Sequence, residues 1–221
     1  MIITGFFDLN QTIASDLFIG HEEKPWKILL EISQFIIKLG NKLSPEQYNN
    51  LGNDIWIAKN ANISETAFLT GPLIIDSDAE IRHNAYIRGN VIIGKNTVVG
   101  NSTELKNSIL FNNVQVPHYN YVGDSVLGYK AHMGAGSITS NVKSDKSNVL
   151  LNYNGEKIDT GLKKFGAFIG DYVEIGCNSV LNPGTIIGKN SSIYPLSSVR
   201  GFIPQNSIYK SATNIVQKIN R

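Results

Sequence analysis

Residues 57–111 read IAKNANISETAFLTGPLIIDSDAEIRHNAYIRGNVIIGKNTVVGNSTELKNSILF. Every sixth residue is apolar: Ile57, Ile63, Leu69, Ile75, Ile81, Ile87, Ile93, Val99, Leu105 and Phe111. Four residues after each comes a mostly small one: Ala61, Ala67, Leu73, Ala79, Ala85, Val91, Thr97, Thr103, Ile109 and Gln115. A period of six fits neither the ~3.6 of a helix nor the ~2 of simple strand alternation. It fits a solenoid of short strands and tight turns, with one large and one small residue facing inward per repeat. Three repeats then make one triangular coil, and the fold is all-β.

The frame slips by one after Phe111, resumes at Val116 and Val122, slips again, and continues at Leu127 and Met133. It returns at Ile169, Ile175, Leu181, Ile187, Ile193 and Val199. The recurring pairs Ile93-Gly94, Ile169-Gly170, Ile175-Gly176 and Ile187-Gly188 resemble the hexapeptide-repeat family. That resemblance implies a left-handed parallel β-helix. Periodicity alone leaves the hand open, and the general rule for parallel crossovers points the other way.

Outside the repeat, three segments are expected. Residues 1–54 form an N-terminal appendage. Within it, Leu29, Ile32, Ile36 and Leu39 recur at helical spacing, which predicts a helix over about 25–39, with Pro25 at its start and Gly40-Asn41 as a stop signal. Such a helix packs on or caps the main domain; a membrane-surface helix is the lesser reading, because basic residues are few. Residues 41–54 read as a linker. The solenoid spans 55–204, and the period disappears inside it over 141–168, a length typical of functional loops. Residues 205–221 are expected to form a tail or short helix.

Composition narrows the function classes. Hydrophobic residues make up 42% and charged residues 17%, which excludes a disordered chain or a coiled coil. The net charge of +2 without a basic run argues against nucleic acid or a membrane as a partner. One cysteine, Cys177, excludes an internal disulfide. With no signal-peptide pattern and no apolar run of membrane-spanning length, a cytoplasmic location is expected. The 20 glycines and many asparagines suit a chain full of turns with positive φ.

The coil turns spacing into geometry. Arg88 and Lys106 each follow an inward residue and lie 18 residues apart, so they stack on adjacent rungs, about 4.8 Å apart. Like charges so close suit a phosphate between them, although two solvated surface cations remain the plainer reading. His83, Asn101 and His118 fall on one line, and Tyr121 turns the corner toward the two cations. His118 has the chemistry of a general base, or is a locally bonded surface histidine. Tyr119 and Tyr121 serve as packing aromatics or offer a sugar a stacking face and a hydroxyl. A histidine-bound metal is disfavoured: His83 and His118 are two rungs apart, and Gly123 stands where a third ligand belongs. Cys177 reads as a small groove-lining residue, since no His–acid partner is in view.

Arg88, Val99-Gly100-Asn101, Glu104, Lys106, Pro117-His118, Tyr121, Gly123-Asp124, Gly134-Ala135-Gly136, Ile138-Thr139 and Asn141 together form a dense pattern. It is similar to the acetyltransferase domain of the bifunctional bacterial enzymes that make UDP-N-acetylglucosamine from glucosamine-1-phosphate. The resemblance implies an acetyl-CoA-dependent N-acetyltransferase acting on an amino-sugar 1-phosphate, assembled as a homotrimer with no metal needed for the acyl transfer. It makes His118 the catalytic base. Arg88, Lys106, Tyr121 and Lys164 would hold the sugar phosphate, and His132 stands where the family has a sugar-contacting asparagine. Ala135 and Asn141 would contact acetyl-CoA, with Cys177 and Pro195 at groove positions that are usually small.

The chain also departs from this pattern. Asn141-Val142-Lys143-Ser144 replaces the family's NYDG, a similar NYNG appears out of register at residues 152–155, and a longer loop follows. That loop, with KKFGAFIGDYVEIG, looks more like the archaeal-type sugar-phosphate enzymes. Fewer than 60 residues precede the repeat, so no nucleotidyltransferase activity is expected. A sugar-nucleotide-binding or scaffold protein without catalysis is the alternative reading.

Overall fold

In the computed structural model, which describes residues 5–153 and 155–219, the six-residue period becomes a parallel β-helix. Residues 1–4 of the appendage, Asn154 of NYNG and residues 220–221 of the tail lie outside the described residues. Each coil lays three short strands on three faces. One face stacks Asn62–Ile63, Glu80–Ile81, Val98–Asn101, Gln115–His118, His132–Met133, Glu174–Ile175 and Ser192–Ile193. The next face carries Phe68–Leu69 and Tyr86–Ile87. It continues through the first halves of Glu104–Leu110 and Tyr121–Leu127 to Ile138–Thr139, Val180–Leu181 and Ser198–Val199. The inward column Ile75, Ile87, Ile93, Val99, Leu105, Val116, Val122, Leu127 and Met133 is completely buried. Corners are dominated by asparagine and aspartate at positive φ (Asp78, Asn84, Asn90, Asn96, Asn107, Asn113, Asp124), the residues that tolerate this conformation best after glycine.

The frame slip occurs earlier than the pattern suggested. Ile87 pairs with Leu105, 18 residues on, but Ile93 pairs with Leu110, 17 on. One residue is therefore lost at the corner between Leu105 and Ser108, and the same shortening recurs at Gly123-Asp124. The inward residues of this coil are Leu110 and Val114; Gln115 is exposed, and Phe111 turns outward to meet Phe7 and Phe18 of the appendage. The shortened corners run through without a break, so Glu104–Leu110 and Tyr121–Leu127 are seven-residue strands spanning two faces.

The third face is buried on both sides. Outward residues Ile74, Ile92, Val126 and Phe168 are covered by the appendage, whose Trp26, Ile28, Ile32 and Ile36 are themselves buried. The expected helix over 25–39 is two pieces: a 3-10 segment Pro25–Leu30, then an α-helix Ile32–Gly40. In the first piece Trp26, Ile28 and Leu29 are all buried, and the Glu31 N–H closes it on the Ile28 carbonyl, the i→i−3 pattern of a 3-10 turn. Gly40 lies inside the helix with the Trp56 ring against it; a Cβ there would sit 2.4 Å from ring carbons. The expected linker contains a strand, Tyr48–Asn50, antiparallel to Ile55–Ala58.

The long insertion is an antiparallel hairpin, Leu150–Tyr153 with Glu156–Asp159, not an irregular loop. Its Val149 and Leu151 are buried, and both side chains lie beside Gly184. The C-terminal segment is a hairpin as well, Ser207–Ser211 with Asn214–Gln217, rather than a helix. Its β-branched NIVQ stretch suits a strand, and the hairpin ends the parallel stack through Ser192–Ile193.

Candidate active site

The site is built on the two shortened corners. Arg88 and Lys106 occupy equivalent positions on adjacent rungs, as their spacing predicts. Each is neutralised by a carboxylate in place of a shared anion. Arg88 Nη1 donates to Glu104 Oε1 at 2.7 Å, and Lys106 Nζ donates to Asp124 Oδ2 at 3.1 Å. Glu104 holds the exposed Arg88 guanidinium above its ordinary pKa.

Asp124 is the hub that sequence reasoning left without a role. It is only 4% exposed. Its Oδ1 accepts from Asn107 Nδ2 at 2.9 Å, and its Oδ2 accepts from Asn141 Nδ2 as well as Lys106. The second Asn107 N–H reaches the Leu29 carbonyl of the appendage at 3.1 Å. The signal was available: Asn107 and Asp124 sit where the repeat loses its residue, both at φ +48.

Tyr121 stacks on Glu104, and its hydroxyl accepts from Asn141 Nδ2 at 3.2 Å. Burial, then the charges of Asp124 and Glu104, push its phenol above its ordinary pKa. Gly123 makes this meeting possible, since a Cβ there would lie 2.5 Å from the Tyr121 hydroxyl and 2.9 Å from the Asn141 amide nitrogen. Asn141 thus lies with the residues expected to hold the sugar phosphate, bonded to Tyr121 and Asp124, and not in the column of the other residues expected to contact acetyl-CoA. Lys164 is exposed where the insertion rejoins the coil. The next two amides donate to Asn141 O (Phe165, 2.9 Å) and Asp124 O (Gly166, 2.8 Å).

Around the corner, the line His83, Asn101, His118 forms as expected and runs further. Ser102 N bonds His83 O, Tyr119 N bonds Asn101 O, Gly136 N bonds His118 O, Asn178 N bonds Ala135 O, and Leu196 N bonds Cys177 O. These bonds place His118, Ala135, Cys177 and Pro195 in one column on successive rungs. His118, the expected base, and three of the four expected acetyl-CoA positions therefore line a single edge. The His118 imidazole is exposed, with Nδ1 3.5 Å from Asn101 Oδ1. Its backbone is fixed by Asn120, whose buried amide also binds Gly134 O and Ser137 O at 2.8 and 3.1 Å. Tyr119 holds φ +38, unusual for a bulky residue, and turns the chain directly after His118.

His132 stands apart from the sugar-phosphate residues. It lies on the face before this corner, three residues ahead of Ala135, and pairs with Glu174 at 2.7 Å. Among the described residues, no group of three His, Cys, Asp or Glu side chains is placed to hold a metal ion, and no helix is long and apolar enough to cross a membrane.

A family model described as the GMPPB C-terminal domain matches residues 69–150, and one described as bacterial transferase hexapeptide (six repeats) matches residues 166–201. A bifunctional sugar-1-phosphate nucleotidylyltransferase/acetyltransferase of Sulfurisphaera tokodaii is 33% identical over 178 residues, covering 72% of this chain and 44% of that protein. The bifunctional protein GlmU of Methanococcus maripaludis is 36% identical over 219 residues, covering 90% of this chain and 48% of that protein. The chain spans about half the length of the curated relatives it matches. A solved hexapeptide transferase family protein from Anaplasma phagocytophilum aligns at a TM-score of 0.42 and 15% identity, covering 75% of this chain and 79% of that one. The chain carries a hexapeptide-repeat domain and is a homologue of the archaeal, GlmU-like bifunctional sugar-1-phosphate nucleotidyltransferase/acetyltransferases.

Proposed function

We propose that the chain is an acetyl-CoA-dependent N-acetyltransferase acting on an amino-sugar 1-phosphate, glucosamine-1-phosphate or an epimer. One observation carries this reading: two stacked cations, Lys106 and Arg88, lie one and two rungs respectively from an exposed His118 that heads the column of Ala135, Cys177 and Pro195.

The acceptor phosphate takes Arg88 and Lys106 from Glu104 and Asp124. The phosphate dianion offers charge-assisted contacts to both, bidentate at the Arg88 guanidinium and to a point charge at the Lys106 ammonium. Lys164 adds a third cation from the rejoining insertion. The fixed phosphate places the sugar amine near His118, turning a bimolecular encounter into a positioned one. Asn101 accepts the Nδ1 proton, so Nε2 is the free base. The amine nitrogen attacks the thioester carbonyl as His118 takes its proton. The C–S bond then breaks, and the CoA thiolate leaves and is protonated. In the Gly134-Ala135-Gly136 turn, the Gly134 and Gly136 amides are already committed to Ile175 O and His118 O. The Ala135 N–H is the amide of that turn left to meet the developing oxyanion. In a homotrimer the Ala135–Cys177–Pro195 edge would face a neighbouring subunit, with acetyl-CoA between them.

The test is thiol release from acetyl-CoA with glucosamine-1-phosphate and galactosamine-1-phosphate as acceptors. Turnover of either, with KM raised about tenfold or more by Lys106→Ala, the loss of one charged contact, supports the reading. No release with any amino-sugar phosphate, in protein that still binds acetyl-CoA, refutes it.

A further inference from the structure

The cation ladder does not end at Arg88. One column of the same face runs Phe68, Tyr86, Glu104, Tyr121, each directly paired with the next. Phe68 is 64% exposed and Tyr86 41% exposed. Their rings meet edge to face with centroids 5.7 Å apart, and the Arg88 guanidinium lies 5.9 Å from the Tyr86 ring centre. Both are outward strand positions that contribute nothing to the buried core.

Along the axis the order of groups is therefore base, cation, cation, aromatic pair. His118 and Tyr121 share a rung, Lys106 is one rung on, Arg88 and Tyr86 a second, and Phe68 a third. At ~4.8 Å per rung, the run from His118 to Phe68 is about 14 Å. An amino-sugar 1-phosphate reaches no further than the two cations, since its phosphate is one bond from the ring carbon beside the amine-bearing one. The aromatic pair, Tyr86 on the rung of Arg88 and Phe68 one rung further, matches a longer molecule in which two phosphates share the cations: amine, sugar ring, two phosphates, then a planar base. Aromatic side chains beside a cationic track are the usual platform for a nucleobase.

Resting on the acyltransferase reading above, we propose that Tyr86 and Phe68 form a nucleobase subsite. The acceptors of this chain then include amino sugars carried on a nucleoside diphosphate, with the diphosphate on Lys106 and Arg88 and the amine still at His118.

The probes are UDP alone and UDP-glucosamine, compared with glucosamine-1-phosphate, on the full chain. Calorimetry is expected to show UDP binding to the wild type, weakened about tenfold or more by Phe68→Ala, the size of one lost stacking contact. With acetyl-CoA, UDP-glucosamine is expected to have the lower KM, and Phe68→Ala to raise that KM while leaving that of glucosamine-1-phosphate within about twofold. Tyr86→Phe, which keeps a ring, is expected to retain UDP binding. Absence of UDP binding to the wild type overturns the subsite, whatever the enzyme does with sugar phosphates. So does a Phe68→Ala variant that loses both acceptors together and changes mass by light scattering, because the aromatic pair would then be a subunit contact. UDP binding without turnover of either acceptor leaves the subsite standing and defeats the acyltransferase reading instead.

Discussion

At the scale of single residues, Asp124 decides the shape of the site. It is a buried carboxylate with four possible acceptor positions, and it receives Lys106, Asn107 and Asn141. Removing it leaves an ammonium and two amides without their shared acceptor. Asp124→Ala is expected to cost about 2–4 kcal/mol, in the range for breaking a buried charged network. Urea denaturation measures this; a loss under ~0.5 kcal/mol would mean that water replaces the carboxylate freely. Asn107 extends the network to Leu29 O, so the appendage and Lys106 share one chain of hydrogen bonds. Asp124 and Asn107 were both visible in the sequence, but only as turn formers. Their partners come from other rungs and from the appendage, which no short-range pattern shows.

At the scale of elements, the solenoid was legible because its rule is local: one inward apolar residue per repeat, and a turn former at each corner. The column geometry followed from the same arithmetic, so Arg88 over Lys106 and the His83–Asn101–His118 line were both found. Segments with no such rule were read less well. Residues 25–39 of the appendage were expected to form one helix, but Pro25–Leu30 winds as a 3-10 segment with Trp26, Ile28 and Leu29 buried, and only Ile32–Gly40 is α-helical. A clue to that face lay in the runs Leu73–Ile75, Val91–Ile93 and Ala167–Ile169, whose consecutive apolar residues mark strands covered on both sides. Gly40 fits the corrected picture as a close-approach residue against Trp56 and not a conformational stop. Gly40→Ala is expected to overpack this joint by about 1–3 kcal/mol. That lowers the melting temperature by about 2–4 °C per kcal/mol in a chain of this size. An unchanged melting curve would show that the appendage is not held through this contact.

At the scale of the molecule, the three faces do different work. One is sealed by the appendage, one carries the cation ladder, and the edge between the other two carries His118 and its column. That edge is exposed at His118, Cys177 and Pro195, the track along which we propose the thioester lies. A homotrimer is expected, with this edge against a neighbour. Light scattering at assay concentration should give about three times the chain mass of 24.3 kDa, and a monomer with full activity would show that one chain completes the site. His132 and Glu174 lie across the corner from the cations, so within one chain they belong to a different surface from the sugar-phosphate residues. The shortened spacing carries this: His132 lies 17 residues after Gln115 and pairs with it on the face before the corner.

The central claim is that His118 removes the amine proton in an acyl transfer from acetyl-CoA. It is tested most directly by the rate of thiol release with saturating acetyl-CoA and glucosamine-1-phosphate, wild type against His118→Ala. The variant changes an exposed side chain, so its melting curve should match that of the wild type. The predicted result is a fall in kcat of at least ~10²-fold, the low end for loss of a general base. A His118→Ala protein that folds normally and keeps the wild-type kcat would contradict it.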